Sequence, residues 1–426
     1  MSTITYRGLW RWHFHAGVLC IPFVLILAIT GSIFLFKPQI DALADRDVDT
    51  LTLSGPRASG EQHIAAALAS APGSKLFVYE VPQEADDAVR VHIYASDDSG
   101  SIVYVHPHSL AVLKSVPHTS RLTEIVRMIH AELLAGRVGS LLIELAASWA
   151  IIMLGTGLFL WWPRDTRSIA GVMYPRFAQG KRVFWRDLHA VTGIWVSLLA
   201  MFLLITALPW TTVAGEGIGK IRGWVAPAPR DWSTSADEHA AHRASPGAAA
   251  VSTSLSVDQI IARIAPLRLE PPVRLYLPNE RQPHWRVRAE TQNRPKVREL
   301  ALDPVTGGLL HEERFADKSA LDKAIHVGIA AHEGQLFGWP NQLLGLSTAL
   351  GLITLCVSAI VMWWRRRPEG SLGVPAARVP DFQIGATLKT GIVVLGVALP
   401  MLGISIVVLW ITNRISSLFA SREVAT

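Results

Sequence analysis

Long uncharged runs in this chain alternate with two stretches whose apolar and polar positions switch at short range. The first run holds 25 uncharged residues between Arg11 and Lys37. As a helix rising about 1.5 Å per residue it spans roughly 37 Å, enough to cross a bilayer core of about 30 Å with some tilt. Further runs fall at 139–162, 187–210, 340–364 and 391–412, and each predicts a membrane-spanning helix. Between them, a short helix-like segment (61–71, then 256–265) precedes strand-like runs at 75–81, 88–94 and 102–106, then at 273–277, 284–289 and 296–302. These strand-bearing stretches close on the turn signals H-P-H-S-L from His106 and D-P-V-T-G-G from Asp303.

The runs repeat. Setting His189 on His13 gives an offset of 176, which also sets Gly193 on Gly17 and Thr206 on Thr30. His332 falls on His130 and Gly338 on Gly136, and a Trp-Trp pair begins 31 residues after each histidine, at Trp161 and Trp363. Internal repeats decide architecture. The expected fold is a membrane all-α bundle of two duplicated helix–loop–helix units plus one extra helix. It carries two small extracytoplasmic α+β domains. The expected segments are 1–37, 121–163, 187–210, 321–364 and 390–413 for the helices with their approaches, and 38–120 and 211–320 for the two domains. The second domain includes an Ala-, Pro- and Ser-rich insert near 226–250, expected to be mobile. Basic loops at 164–186 and 365–389 and a tail at 414–426 complete the chain.

Charge sets the orientation. The 164–186 loop holds six Lys or Arg and one acid, and the 365–389 loop five and two. The positive-inside rule places both loops and the basic N-terminus in the cytoplasm, and the large loops and the tail outside it. The first run is too long for a signal peptide and reads as a retained anchor. A mean hydropathy of +0.31 and a pI near 9.5 fit basic loops beside membrane segments. No basic run interleaved with aromatics argues for nucleic acid. Cys20 and Cys356 both lie in apolar runs, and no C-x-x-C-H is present. That excludes a disulfide framework, covalent c-type haem and cysteine-based zinc or iron–sulfur sites.

The repeat pairs the histidines. His13 and His189 start outward-running helices and so share the cytoplasmic face. His130 and His332 precede inward-running helices and share the other face. Two imidazoles from facing helices at one depth are what axial ligation of a b-type haem requires. Glycines four or six positions along (Gly17, Gly193, Gly136, Gly338) would let a flat macrocycle approach the backbone. His15 and His326 lack partners at the repeat offsets and rank second. A single histidine at a helix end is also an ordinary interfacial polar anchor, and histidines in the outer loops read as surface polarity. Glu144, the one carboxylate inside the apolar runs, is a candidate for proton coupling or a side chain reaching water near the boundary. The Trp161-Trp162 and Trp363-Trp364 pairs read as interfacial anchors.

The stretches W-R-W-H-F-H-A-G, H-A-E-L-L-A-G, D-L-H-A-V-T-G-I-W and H-E-G-Q-L-F-G resemble the PepSY-associated transmembrane family. The two helix-then-strands loops resemble its PepSY domains, over residues 7 to about 370. Members include inner-membrane ferric-siderophore reductases with two b-type haems. The resemblance implies two haem b cofactors on His13, His189, His130 and His332, and electron flow to a ferric siderophore in the periplasm. The sequence does not identify the electron donor, whether cytoplasmic or a quinol. His15 stands where such sequences often carry an aromatic, and the fifth helix is an addition to the four-helix plan. A different class of function is also open: a non-redox membrane protein whose outer domains bind or restrain a partner such as a peptidase.

Overall fold

The computed structural model describes residues 5–97, 99–162, 169–225, 255–280, 282–370, 373–375, 383 and 386–423, without the side chains of 225, 386–389 and 416–423. The expected mobile insert at 226–250, Arg164, Arg167 and Thr426 lie outside the described residues. In chain order the first half gives α1 (Tyr6–Phe34), α2 (Lys37–Asp45), α3 (Gly60–Ser70), β1 (Lys75–Val81), β2 (Val89–Tyr94), β3 (Gly100–Val105), β4 (Val112–Pro117), α4 (Leu122–Glu132) and α5 (Gly136–Trp161). The second gives α6 (Gly180–Ala207), α7 (Val213–Val225), α8 (Val257–Ile264), β5 (Val273–Tyr276), β6 (Trp285–Ala289), β7 (Arg298–Leu302), β8 (Leu309–Arg314), α9 (Ala320–His332) and α10 (Trp339–Trp364). Two further helices follow, α11 (Ala386–Ala398) and α12 (Pro400–Glu423).

The chain divides into two compact units. One is helical and comprises Met1–Ile33, Arg127–Ile221 and Leu343–Thr426; the other comprises Phe34–Val126 and Arg222–Gln342. Among the described residues four helical stretches, Tyr6–Phe34, Gly136–Trp161, Gly180–Trp210 and Trp339–Trp364, are long and apolar enough to cross a membrane. This is a multi-pass membrane protein.

The last apolar run and two of the glycines have features that the sequence did not disclose. The fifth span is not one helix: Thr390–Ala398 and Pro400–Ile415 are bent by 117° at their junction. Pro400 has no N–H to continue the helix and its ring clashes with the preceding turn. Gly396 and Gly403 then let the two helices touch, since a Cβ on Gly403 would lie 2.3 Å from the Gly396 carbonyl oxygen. The bent pair docks through Leu399 and Leu402, which cluster with Ala16, Cys20, Trp149 and Ile151. The Trp149 Nε1–H also donates to Ser405 Oγ at 3.1 Å. Gly136 and Gly338 also have a backbone role. Each begins its helix with positive φ (+55° and +64°), and nothing lies within 4 Å of where a Cβ would be. They are turn residues, in a conformation that glycine adopts at low cost.

The other unit differs from the expectation of two separate small α+β domains. Its strands form one eight-stranded sheet, in the order β4-β3-β2-β1-β5-β6-β7-β8. The halves join where β1 pairs antiparallel with β5, with Tyr79 opposite Leu275, Glu80 opposite Arg274 and Val81 opposite Val273. Above the seam α3 and α8 cap each other. Each begins with a capping box, Ser59 with Gln62 and Ser256 with Gln259. Asp258 then accepts the Gly60 N–H at 3.1 Å and Glu61 accepts the Val257 N–H at 2.6 Å. Acidic side chains at helix N-termini satisfy donors that have no intrahelical partner and complement the helix dipole. A single core beneath them takes Tyr79, Val91 and Val103 from one half and Ile260, Leu275, Val287 and Leu300 from the other. Burying one such aliphatic side chain contributes about 1.5–3 kcal/mol, so the two halves stabilise each other.

Candidate functional site

In the helical unit α1 carries His13 and α6 carries His189. Each is about two turns inside its helix rather than at its start. His13 Nδ1 lies 3.0 Å from Thr156 Oγ1, and His189 Nδ1 lies 3.0 Å from Ser358 Oγ and 3.1 Å from the Leu355 carbonyl oxygen. Thr156 and Ser358 are related by the same offset of 202 that relates His130 to His332. Thr156 Oγ1 also lies 3.2 Å from Met153 O, and Ser358 Oγ 2.9 Å from Leu355 O. At His189 the Leu355 carbonyl can only accept, which puts the proton on Nδ1 and leaves Nε2 with its lone pair. At His13 the Thr156 hydroxyl takes the equivalent place. The two imidazoles lie within electrostatic range of each other.

His130, at the end of α4, is held in the same way. Its Nδ1 lies 2.9 Å from Thr30 Oγ1, whose own proton goes to Ile26 O at 2.6 Å. Glycine backbone lies against these rings. A Cβ on Gly157 would come within 3.2 Å of His13 Cε1, and one on Gly31 within 3.3 Å of His130 Cε1. The glycines singled out for that purpose do something else: Gly17 faces Met153 and Gly193 faces Leu355, an ordinary helix-packing contact repeated in both halves. His332 is the last residue of α9, in the sheet-bearing unit, and is half-buried.

His15 is exposed, with only the edge of Phe14 against its ring. Two residues from His13 on a helix, it points to another face. His326 donates from Nδ1 to the Asp322 carbonyl one turn earlier, at 2.8 Å. Glu144 is fully buried, and its two oxygens accept the N–H groups of Val213 and Ala214 at 2.8 and 2.9 Å. It caps the start of α7, which accounts for a carboxylate at that depth. Asp187, two residues before His189, is buried and bound by Arg176 at 2.6 Å and Arg186 at 2.7 Å. It ties the start of α6 to the preceding loop. The hydroxyl partners Thr30, Thr156 and Ser358 are functional candidates missed in the sequence. The in-register spacing of Thr156 and Ser358 was the available signal.

Among the described residues no group of three or more His, Cys, Asp or Glu is placed to hold a bare metal ion. A haem asks for less, because the porphyrin brings four of the six ligands and the protein two. The donor set fits: the Nδ1 atoms of His13, His130 and His189 each meet a hydroxyl, second-layer partners of the kind metal-binding imidazoles use. A family model for the PepSY-associated TM region matches residues 10–366. The chain belongs to that family. The match takes in both repeats and both strand-bearing stretches, and it ends before the bent pair of helices. Among curated proteins nothing matches the chain.

Proposed function

We propose that this protein is an inner-membrane oxidoreductase that binds two b-type haems. It passes electrons from the cytoplasmic side to an extracytoplasmic acceptor, with ferric iron in a siderophore as the substrate. The observation that carries the reading is the matched setting of His13 and His189. Hydroxyls at equivalent positions of the two repeats lie 3.0 Å from the Nδ1 of each, an arrangement that supports Nε2 as the ligand atom. A bound haem supplies one-electron redox chemistry. The chain supplies the axial nitrogens, holds their protons on Nδ1 and surrounds them with apolar helices that keep water out. The repeat assigns His130 and His332 to the second haem. Ferric siderophores suit such a protein as substrate, because reduction takes one electron per metal and no hydride. Hard oxygen ligands hold ferrous iron far less well than ferric, so reduction releases the metal.

The test is anaerobic. Dithionite-reduced protein mixed with a ferric hydroxamate siderophore is expected to re-oxidise as ferrous iron appears in a chelator trap. Haem-loaded protein that keeps its reduced spectrum in excess ferric siderophore would remove that substrate and leave another extracytoplasmic acceptor.

A further inference from the structure

Trp161 and Trp363 occupy equivalent positions in the two repeats, and the indole Nε1 of each is buried with no hydrogen-bond partner among the described residues. Their neighbours differ: Trp162 is 67% and Trp364 57% exposed, as interfacial anchors are. Buried donors in native proteins are nearly all paired, and leaving one unmade costs about 1–3 kcal/mol. Two such donors related by the repeat point to an acceptor that the described residues do not supply.

Position narrows what it is. Trp161 lies one turn beyond Gly157, the residue against the His13 ring, and so shares its helix face. Trp161 follows Thr156 by five residues, as Trp363 follows Ser358, and those hydroxyls hold the two histidines. Two arginines sit at the same end. Arg182 is two turns before His189 on α6, and Arg366 is about two turns beyond Ser358. Neither forms an ion pair with an acid among the described residues. Burial and the nearby Arg182 charge together hold the Arg366 guanidinium below its usual range. In the first repeat the place of Arg182 is taken by Tyr6, whose hydroxyl is spent on the Leu160 carbonyl at 3.3 Å. The acceptor is therefore an anion near the histidines, beside two unneutralised cations and two N–H donors.

Resting on the reading that His13 and His189 hold a haem, we propose that Trp161 and Trp363 donate their indole N–H groups to its propionate carboxylates, with Arg182 and Arg366 balancing the charge. A carboxylate has lone pairs for several donors at once, and its bonds from N–H groups are among the strong ones. Such bonds fix which way the propionate edge faces and slow its departure.

The experiment uses the full chain in lipid nanodiscs, carrying His130→Ala so that the haem of His13 and His189 is observed alone. Trp161→Phe and Trp363→Phe keep an aromatic ring and remove the N–H. Each is expected to shift the propionate-bending band in the resonance Raman spectrum. Each is also expected to speed haem transfer to apomyoglobin, on the order of tenfold for one hydrogen bond to a charged group. Trp162→Phe and Trp364→Phe should change neither. The proposal is wrong if the Trp161 and Trp363 variants match the unsubstituted chain, or if the outward tryptophans have the same effect. An effect confined to anionic lipid, absent in zwitterionic nanodiscs, also overturns it and gives the donors to lipid headgroups. A chain that takes up no haem, with or without His130, removes the underlying reading instead.

Discussion

Thr156 and Ser358 fix the chemistry of the histidines they touch, but they are not equally exposed to loss. His189 keeps the Leu355 carbonyl if the Ser358 hydroxyl goes, whereas His13 has Thr156 alone. Outer partners of metal-binding histidines are typically worth about 10–100-fold in affinity. Thr156→Val is therefore expected to weaken haem binding at this site roughly tenfold, and Ser358→Ala by less, as read by haem titration of the stripped protein. Equal losses would show that the carbonyl does not substitute for the hydroxyl. The histidines were legible in the sequence because four of them obey the repeat arithmetic. Their hydroxyl partners obey it too, yet a Thr or Ser in an apolar helix commonly bonds back to its own carbonyls, and nothing local separates the two uses. Glu144 was legible as exceptional but not as a cap, because the helix it serves begins 69 residues later.

At the scale of elements, the six strand-like runs all became strands, and β4 and β8 were missed. Both are edge strands of half-polar residues, Val-Leu-Lys-Ser-Val-Pro and Leu-Leu-His-Glu-Glu-Arg, in which little apolar pattern survives. The pairing of β1 with β5 has no local signature, since either strand could have been a free edge. Its polar face is held by charge. Arg274 binds Glu80 at 3.1 Å and also pairs with Glu290, while His92 lies 3.3 Å from Glu80. Burial alone would raise the Glu80 carboxyl. The His92 hydrogen bond and the Arg274 and Arg90 charges outweigh it and hold that group well below the usual carboxylate range. Burial is outweighed at Glu290 also, by Arg274, Arg288 and the Tyr276 hydroxyl, which bring it to about 2.

Folded-state values depressed in this way contribute stability above the ordinary carboxylate value of 4.5. That contribution is lost as pH falls from there toward 2. Hydrogen-exchange protection factors of β1 and β5 amides, corrected for the intrinsic rate at each pH, are expected to fall over that window and to stay constant near pH 7–8. Arg274→Met strands two buried carboxylates and should cost about 3 kcal/mol in the same measurement at neutral pH. A flat exchange profile down to pH 3 would show that the seam does not depend on these charges.

For the whole molecule, the basic loops and the four long apolar helices specify a multi-pass protein, and the bent pair α11–α12 modifies its outline. The run 391–412 is apolar enough to cross a membrane, and Pro400 was visible within it. What the sequence did not disclose is that Gly396 and Gly403 bring the two helices together, because that contact needs the fold-back first. Reporters fused near Gly180 and within 38–120 are expected on opposite sides of the membrane. A reporter fused beyond Ile415 is expected on the same side as one near Gly370, and opposite sides would mean the pair straightens into a full crossing.

The central claim is that repeat-related histidines hold two haems. The most direct measurement is the haem-to-protein ratio, with oxidised and dithionite-reduced absorption spectra, of the intact chain beside His13→Ala and His130→Ala. The account predicts two non-covalent haems per chain, extractable by acid acetone, and one haem in each variant, with different midpoint potentials left behind. An intact chain that binds no haem, or variants that each lose both haems while still folded, would contradict it.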